Sequence, residues 1–164
     1  PTIAREAVVS ISYRLQDYIA DRHLTWEAVT HQQSGTCAEA AHLAHVPPDR
    51  VAKAVVLHGH SGYVMAVIPA DHHLDVKALG DSLADELTLA SESALSGLFD
   101  DCQPGAVPPV GAAYGICTLW DEGLASRPDV YFEAGDHQTL VHMTGPEFEA
   151  LMRKGAARLP ASCH

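Results

Sequence analysis

Basic residues are scarce: 10 Lys plus Arg stand against 21 Asp plus Glu, a net charge of -11. A chain so acidic cannot grip a long stretch of nucleic acid through its phosphates, which excludes a DNA-binding role and restricts any RNA contact to a small or partner-assisted one. No apolar run approaches the roughly 20 residues of a membrane span, and no charged, apolar, small-residue signal pattern opens the sequence. The expectation is a cytosolic protein without a membrane partner. The four cysteines, Cys37, Cys102, Cys117 and Cys163, are widely spaced and form no CxxC pair, so neither structural zinc nor thioredoxin-like chemistry is supported and reduced thiols are expected. Histidine is plentiful, with 11 residues, and His58-Gly-His60, His72-His73 and His42-x-x-His45 look like ligand pairs. None comes with a third ligand at the spacing of a known site, so no metal and no cofactor are expected. A GxSxG elbow, a P-loop GxxxxGK[ST] and a GxGxxG turn after a strand are also missing.

What is present is a 164-residue chain, 47% hydrophobic, long enough for one domain spanning 1–164 around one sizeable core. Val8, Ile11, Leu15, Tyr18 and Ile19 recur at three- and four-residue steps, which predicts an amphipathic helix from Arg5 to about His23. A strand is expected over Leu24 to His31. Thr36, with Glu39 three residues on, predicts a capped helix running to Ala44 and ended by Val46-Pro-Pro-Asp49. Val51 to His58 and Tyr63 to Ile68 read as a hairpin around a four-residue turn, Gly59-His-Ser-Gly62. Helices are then predicted over Asp75 to Ala84, with Val76, Leu79 and Leu83 on one face, and over Ser91 to Leu98. Three strands follow, Gly115 to Trp120, Asp129 to Ala134 and Thr139 to Met143, and Gly145-Pro-Glu147 opens a last helix reaching about Lys154. Gly155 to His164 lacks periodicity and is expected to be a loose tail. The fold class is therefore α+β, a mixed and mainly antiparallel sheet with helices packed around it.

Two segments point to chemistry. Val51-Ala-Lys-Ala-Val-Val-Leu57 places a single charge, Lys53, inside an otherwise apolar strand. An ammonium out of water costs several kcal/mol unless it finds a carboxylate, partial exposure or a functional anion. The plain alternative is a lysine that snorkels to solvent. About fifty residues later, Gly105-Ala-Val-Pro-Pro-Val-Gly111 combines prolines that restrict the backbone with glycines that admit unusual conformations and close approaches. Such a loop can hold amides and carbonyls rigidly towards a small ligand, or can simply connect a helix to a strand. Cys37 and Cys102 read as ordinary thiols.

The order of Thr36-x-x-x-Ala40-Ala41, Val51-x-Lys53-x-Val55-Val56-Leu57, Gly105-x-Val107-x-Pro109-x-Gly111, Asp121 after a strand, and Phe132-x-Ala134-Gly135 resembles the YbaK and prolyl-tRNA synthetase insertion-domain family of trans-editing aminoacyl-tRNA deacylases. The resemblance covers about residues 25 to 152. Its most specific parts are the strand lysine and the GxxxP loop. It implies hydrolysis of the ester joining a wrong amino acid to the terminal ribose of a tRNA, tRNA(Pro) above all. By that resemblance Lys53 is the catalytic lysine, meeting the substrate's carbonyl or terminal phosphate. The loop residues Gly105, Ala106, Val107, Pro109 and Gly111 position the aminoacyl group, and His31, Thr36 and Asp121 match further positions around the site. The implied partner is the acceptor end of an aminoacyl-tRNA, and the acidic surface suggests weak affinity or delivery by an aminoacyl-tRNA synthetase.

This chemistry suits a chain without a recognisable nucleophile. An aminoacyl ester is already activated, so placing water and stabilising the developing oxyanion with a cation and fixed dipoles is sufficient. Two rival readings are a non-catalytic module that binds an amino acid or aminoacyl-tRNA in the same pocket, and a metal or cysteine hydrolase.

Overall fold

The computed structural model describes residues 11–160 and Cys163, and its framework is one mixed sheet with helices on both faces. The helices are α1 (Tyr13–Asp21), α2 (Cys37–Leu43), α3 (Val76–Leu83), α4 (Glu92–Leu98) and α5 (Gly145–Arg153). The strands are β1 (Glu27–Thr30), β2 (Val51–Gly59), β3 (Gly62–Pro69), β4 (Thr88–Leu89), β5 (Cys117–Trp120), β6 (Asp129–Glu133), β7 (Thr139–Thr144) and β8 (Ala156–Arg158). Their order across the sheet is β1-β7-β6-β2-β3-β5-β8, with the short β4 added beside β2. The hairpin β2/β3 is antiparallel, while β2 runs parallel to β6 and β3 parallel to β5.

Each helix begins where a short polar side chain can take up an orphan amide. Ser12 accepts from Leu15, Thr36 from Glu39, Asp75 from Ala78, Ser91 from Ala94 and Thr144 from Glu147. Caps of this kind are each worth about 1 kcal/mol and fix where a helix starts. Alternation then sorts the central strands. Ala52 and Val56 of β2 and Phe132 of β6 face one core, together with Leu15 and Ile19 of α1 and Phe148, Leu151 and Met152 of α5. Leu57, Ala66 and Ile68 face the opposite core under Leu79 of α3, and Val51 meets Ala41 of α2 beside them. The odd-numbered positions of β2, Lys53 included, therefore look to the second face.

Several expectations need correction. Among the described residues the first helix starts at Tyr13, where Ser12 caps it; the part of the expected helix before Ile11, Val8 included, lies outside them. The first strand is shorter than expected, Glu27–Thr30. The hairpin turn is tighter than four residues, since Gly59 and Gly62 already pair and Gly62 takes φ +112°, leaving His60 and Ser61 to make the turn. Leu83 is 39% exposed, so the buried side of α3 is carried by Leu79. The tail is not loose where it is described: Ala156–Arg158 pairs in parallel with β5, Leu159 is buried, and the Cys163 carbonyl accepts from Asp75 N at 2.6 Å.

Candidate functional site

Lys53 lies on the second face of β2, beside Ile68 of β3 on one side and β6 on the other. Its ammonium is partly buried and donates to the His72 carbonyl at 2.8 Å. The backbone thus meets part of the desolvation cost that the strand setting imposes. On the β6 side, β2 is in register with β6 at Val51–Tyr131 and Ala52–Phe132, the pairs just before Lys53 and Glu133.

Glu133 is 1% exposed, and neither of its carboxylate oxygens has a hydrogen-bond partner. Burial, reinforced by the charge of Asp136, raises its pKa to about 8. Four residues on, beyond the turn at Gly135, His137 is held at φ +60° with Nδ1 3.8 Å from Glu133 Oε2. The other ring nitrogen, Nε2, contacts the Pro104 carbonyl. A Cβ on Gly105, where φ is +83°, would lie 3.3 Å from His137 Cε1. One imidazole therefore joins the strand carrying Glu133 to the start of the Gly/Pro loop.

Cys37, the first residue of α2, completes this group. Burial, then the charge of Glu133, push its thiol up to about 12 against the opposing effect of Lys53, so it is uncharged at neutral pH. This disfavours a thiolate nucleophile. The 31–34 segment is fastened to the same turn: His31 N donates to the Gln138 carbonyl at 2.8 Å and Ser34 N to the His137 carbonyl at 3.1 Å. His31 Nδ1 meets the Gln32 carbonyl at 2.6 Å, while its Nε2 is buried without a partner.

A brace behind the turn holds these loops in place. Ser12 N donates to the Ala134 carbonyl and Gln103 N to the Gly135 carbonyl. Ser12 Oγ and the Tyr114 hydroxyl both donate to the Asp101 carboxylate, at 2.6 and 2.7 Å.

The sequence-derived residues are thus only partly assembled in one place. His31 and Gly105 lie against the Glu133–His137 turn, and Lys53 bears with Glu133 on the Cys37 thiol. Ala106 is fully buried, with its N–H on the Gln103 carbonyl, and Val107 packs against the first core, so these two anchor the loop. Pro109 is buried. Gly111 belongs to a different contact: a Cβ there would lie 2.0 Å from Thr118 Oγ1 and 2.9 Å from the Ile116 carbonyl, which makes it a close approach of loop to β5. Thr36 uses its hydroxyl to cap α2. Asp121 continues β5 past Trp120, two strands from Lys53, and its carboxylate accepts from Gly123 N at 2.9 Å. Glu133 and His137 were not identified from sequence as site residues. A charged residue between Phe132 and Ala134 in an apolar strand was the available signal, the same one that marked Lys53.

Comparison with known proteins identifies the family. The sequence is similar over 112 residues, 67% of this chain, to the proline–tRNA ligase of Trichlorobacter lovleyi, with 30% identity; the chain spans only 19% of that ligase's length. A crystal structure described as a candidate trans-editing enzyme for prolyl tRNA synthetase superposes with a TM-score of 0.73 and 26% identity, covering 89% of this chain and 94% of the other. The structure of a hypothetical protein matches with a TM-score of 0.75 and 26% identity, covering 88% and 97%. The profile of the aminoacyl-tRNA editing domain matches residues 31–151, which include the strand lysine, the Gly/Pro loop and the Glu133–His137 turn. The chain belongs to the aminoacyl-tRNA editing domain family.

Proposed function

We propose that this protein is an aminoacyl-tRNA deacylase acting in trans, a hydrolase that removes a wrong amino acid from tRNA, with tRNA(Pro) the first candidate. The observation that carries this reading is that Lys53 and Glu133 both act on the buried Cys37 thiol, while Glu133 approaches His137, whose ring meets the Pro104 carbonyl and borders Gly105. This supports a common site for the strand ammonium and the backbone-rich loop, some fifty residues apart in sequence.

In this reading Lys53 meets the ester carbonyl or the terminal phosphate, where a cation favours the charge that develops as water attacks. Gly105 to Pro109 fixes the aminoacyl group, with Gly105 nearest the reacting end and Ala106, Val107 and Pro109 securing the loop. His31 borders the same turn. Thr36, Gly111 and Asp121 act at one remove, by setting the start of α2, the seat of the loop on β5 and the end of β5. The substrate partner is the acceptor end of a charged tRNA in the cytosol, with a synthetase as the candidate source of delivery. With a net charge of -11, the protein is suited to reading a terminus rather than a long RNA surface.

The test is a panel of tRNA(Pro) and tRNA(Ala) charged with cysteine, alanine, serine, threonine or proline, incubated with the purified protein with and without a cognate synthetase. Accelerated loss of at least one amino acid is expected. Binding of a charged tRNA without any turnover across the panel would replace this reading with that of a non-catalytic binding module.

A further inference from the structure

Asp101 and Tyr114 flank the Gly/Pro loop, and their side chains meet where its two ends come together. The Tyr114 hydroxyl donates to Asp101 Oδ1 at 2.7 Å, Ser12 Oγ donates to Oδ2 at 2.6 Å, and Arg14 N reaches Oδ2 at 3.2 Å. The Cys102 thiol lies 3.3 Å from Oδ1. One carboxylate thus receives a donor on each of its roughly four lone-pair positions, drawn from three segments of the chain. Burial pushes the Asp101 carboxyl up, but the hydrogen bonds from Ser12, Tyr114 and Arg14 N outweigh it and hold the group below its ordinary value, an anion at neutral pH. The rings of Phe99 and Tyr114 pack beside this clasp with centroids 4.6 Å apart. Ring packing alone would close the neck of the loop at a range of spacings, whereas hydrogen bonds to an anion fix one.

The same clasp reaches the end of β6. Ser12 N donates to the Ala134 carbonyl at 2.8 Å, and Gln103 N donates to the Gly135 carbonyl at 2.7 Å while the Gln103 carbonyl accepts from Ala106 N at 3.1 Å. A Cβ on Gly135, where φ is +112°, would lie 3.2 Å from both Cys102 Sγ and Ser12 N, so the three segments are closely fitted. Ser12 Oγ also accepts from Leu15 N, which fixes the start of α1 with the same side chain. We infer that Asp101 is a positioning residue for the Gly105 loop, tying its neck and the end of β6 to the first turn of α1, a helix that precedes the 31–151 stretch matched by the editing-domain profile. The inference rests on the deacylase reading for the reaction affected. Asp101 acts at a distance, through Gln103 and Ala106 to Gly105.

The experiment measures kcat and KM on alanyl-tRNA(Pro), and amide hydrogen exchange, for wild type, Asp101→Asn, Tyr114→Phe, Gly105→Val and the double variant of Asp101→Asn with Gly105→Val. An asparagine amide keeps one acceptor oxygen and turns its NH2 towards donors, so one side of the clasp opens. Tyr114→Phe removes a single donor and keeps the ring. Asp101→Asn is expected to lower kcat about tenfold or more with KM within about twofold, because a small misplacement of a positioning loop slows the chemical step. Tyr114→Phe should act in the same direction by less, and it carries the same readouts if Asp101→Asn does not fold. In the Gly105→Val background, where the loop is already displaced, Asp101→Asn should cost less than about twofold. Wild-type kcat in a folded Asp101→Asn overturns the inference, and so does a full additive loss in the Gly105→Val background, which a merely structural role would give. Should wild type hydrolyse no charged tRNA, the deacylase reading falls and hydrogen exchange decides the clasp. Faster exchange in Asp101→Asn at Gln103 and Ala106 with β3 unchanged upholds it; no change there, or a uniform rise that includes β3, overturns it.

Discussion

Lys53 and Glu133 sit on adjacent strands of the sheet, and the fold treats their charges in opposite ways. The lysine is partly buried with its ammonium on a backbone carbonyl. The glutamate is buried with both oxygens unpaired and a pKa raised to about 8. A protein selected for stability alone would let the two meet, since closing a buried pair is far cheaper than leaving one partner unpaired. Their separation is what the proposed deacylase site requires: room for the end of a charged tRNA near the strand, the Gly105 loop and the first residue of α2.

The comparison is broken most severely at the lysine. Lys53→Ala is expected to lower single-turnover deacylation by a hundredfold or more, the usual scale for losing a preorganised charge at a developing oxyanion. Its melting temperature should stay near that of wild type, because only one hydrogen bond goes with the charge. Lys53→Arg should restore only a fraction of the rate, since a planar fork cannot occupy the place of a compact ammonium. Wild-type turnover in Lys53→Ala would remove the lysine from the mechanism.

The next effect separates the two glycines of one loop. Gly105→Val forces a β-branched residue to φ +83° against His137, on an exposed loop, so kcat/KM should drop about tenfold or more with a modest loss of thermal stability. Gly111→Ala puts a Cβ into Thr118 and the Ile116 carbonyl and should instead lower the melting temperature strongly. Should Gly105→Val lose activity only by unfolding, the loop is a plain connection. Pro109→Ala should do less than either.

At the glutamate the expected effect is on the pH dependence of stability. The folded-state pKa of Glu133 lies above its ordinary value, so its contribution is fully present below about 4.5 and is lost as pH rises through about 8. Melting temperatures of wild type should fall over that window by up to several degrees, and Glu133→Gln should flatten the fall. An identical pH profile in the two proteins would mean that the carboxyl has a partner.

Much of the scaffold could be read from the chain because its signals are local. Ser91, Thr36 and Asp75 precede helices by the logic of orphan amides, and the β2/β3 hairpin follows from two apolar runs around glycines. Lys53 was legible for the same reason, as a charge in an apolar run. Other features depend on contacts between distant segments. Ala156 to Arg158 has too few residues for any periodicity and becomes a strand only because β5 offers an edge. Glu133 and His137 gain their meaning from the β2/β6 register and from the Pro104 carbonyl. Gly111 gains its meaning from Thr118, and no spacing within the loop distinguishes it from Gly105.

The central claim is that the ester is cleaved by a strand ammonium and fixed backbone dipoles, with water as nucleophile. The most direct measurement is the decay of alanyl-tRNA(Pro) under single-turnover conditions with the purified protein, after treatment with EDTA and with a thiol-alkylating reagent. The account predicts first-order loss of alanine well above the spontaneous rate, unchanged by either treatment; decay at the spontaneous rate, or decay abolished by chelation or alkylation, would contradict it.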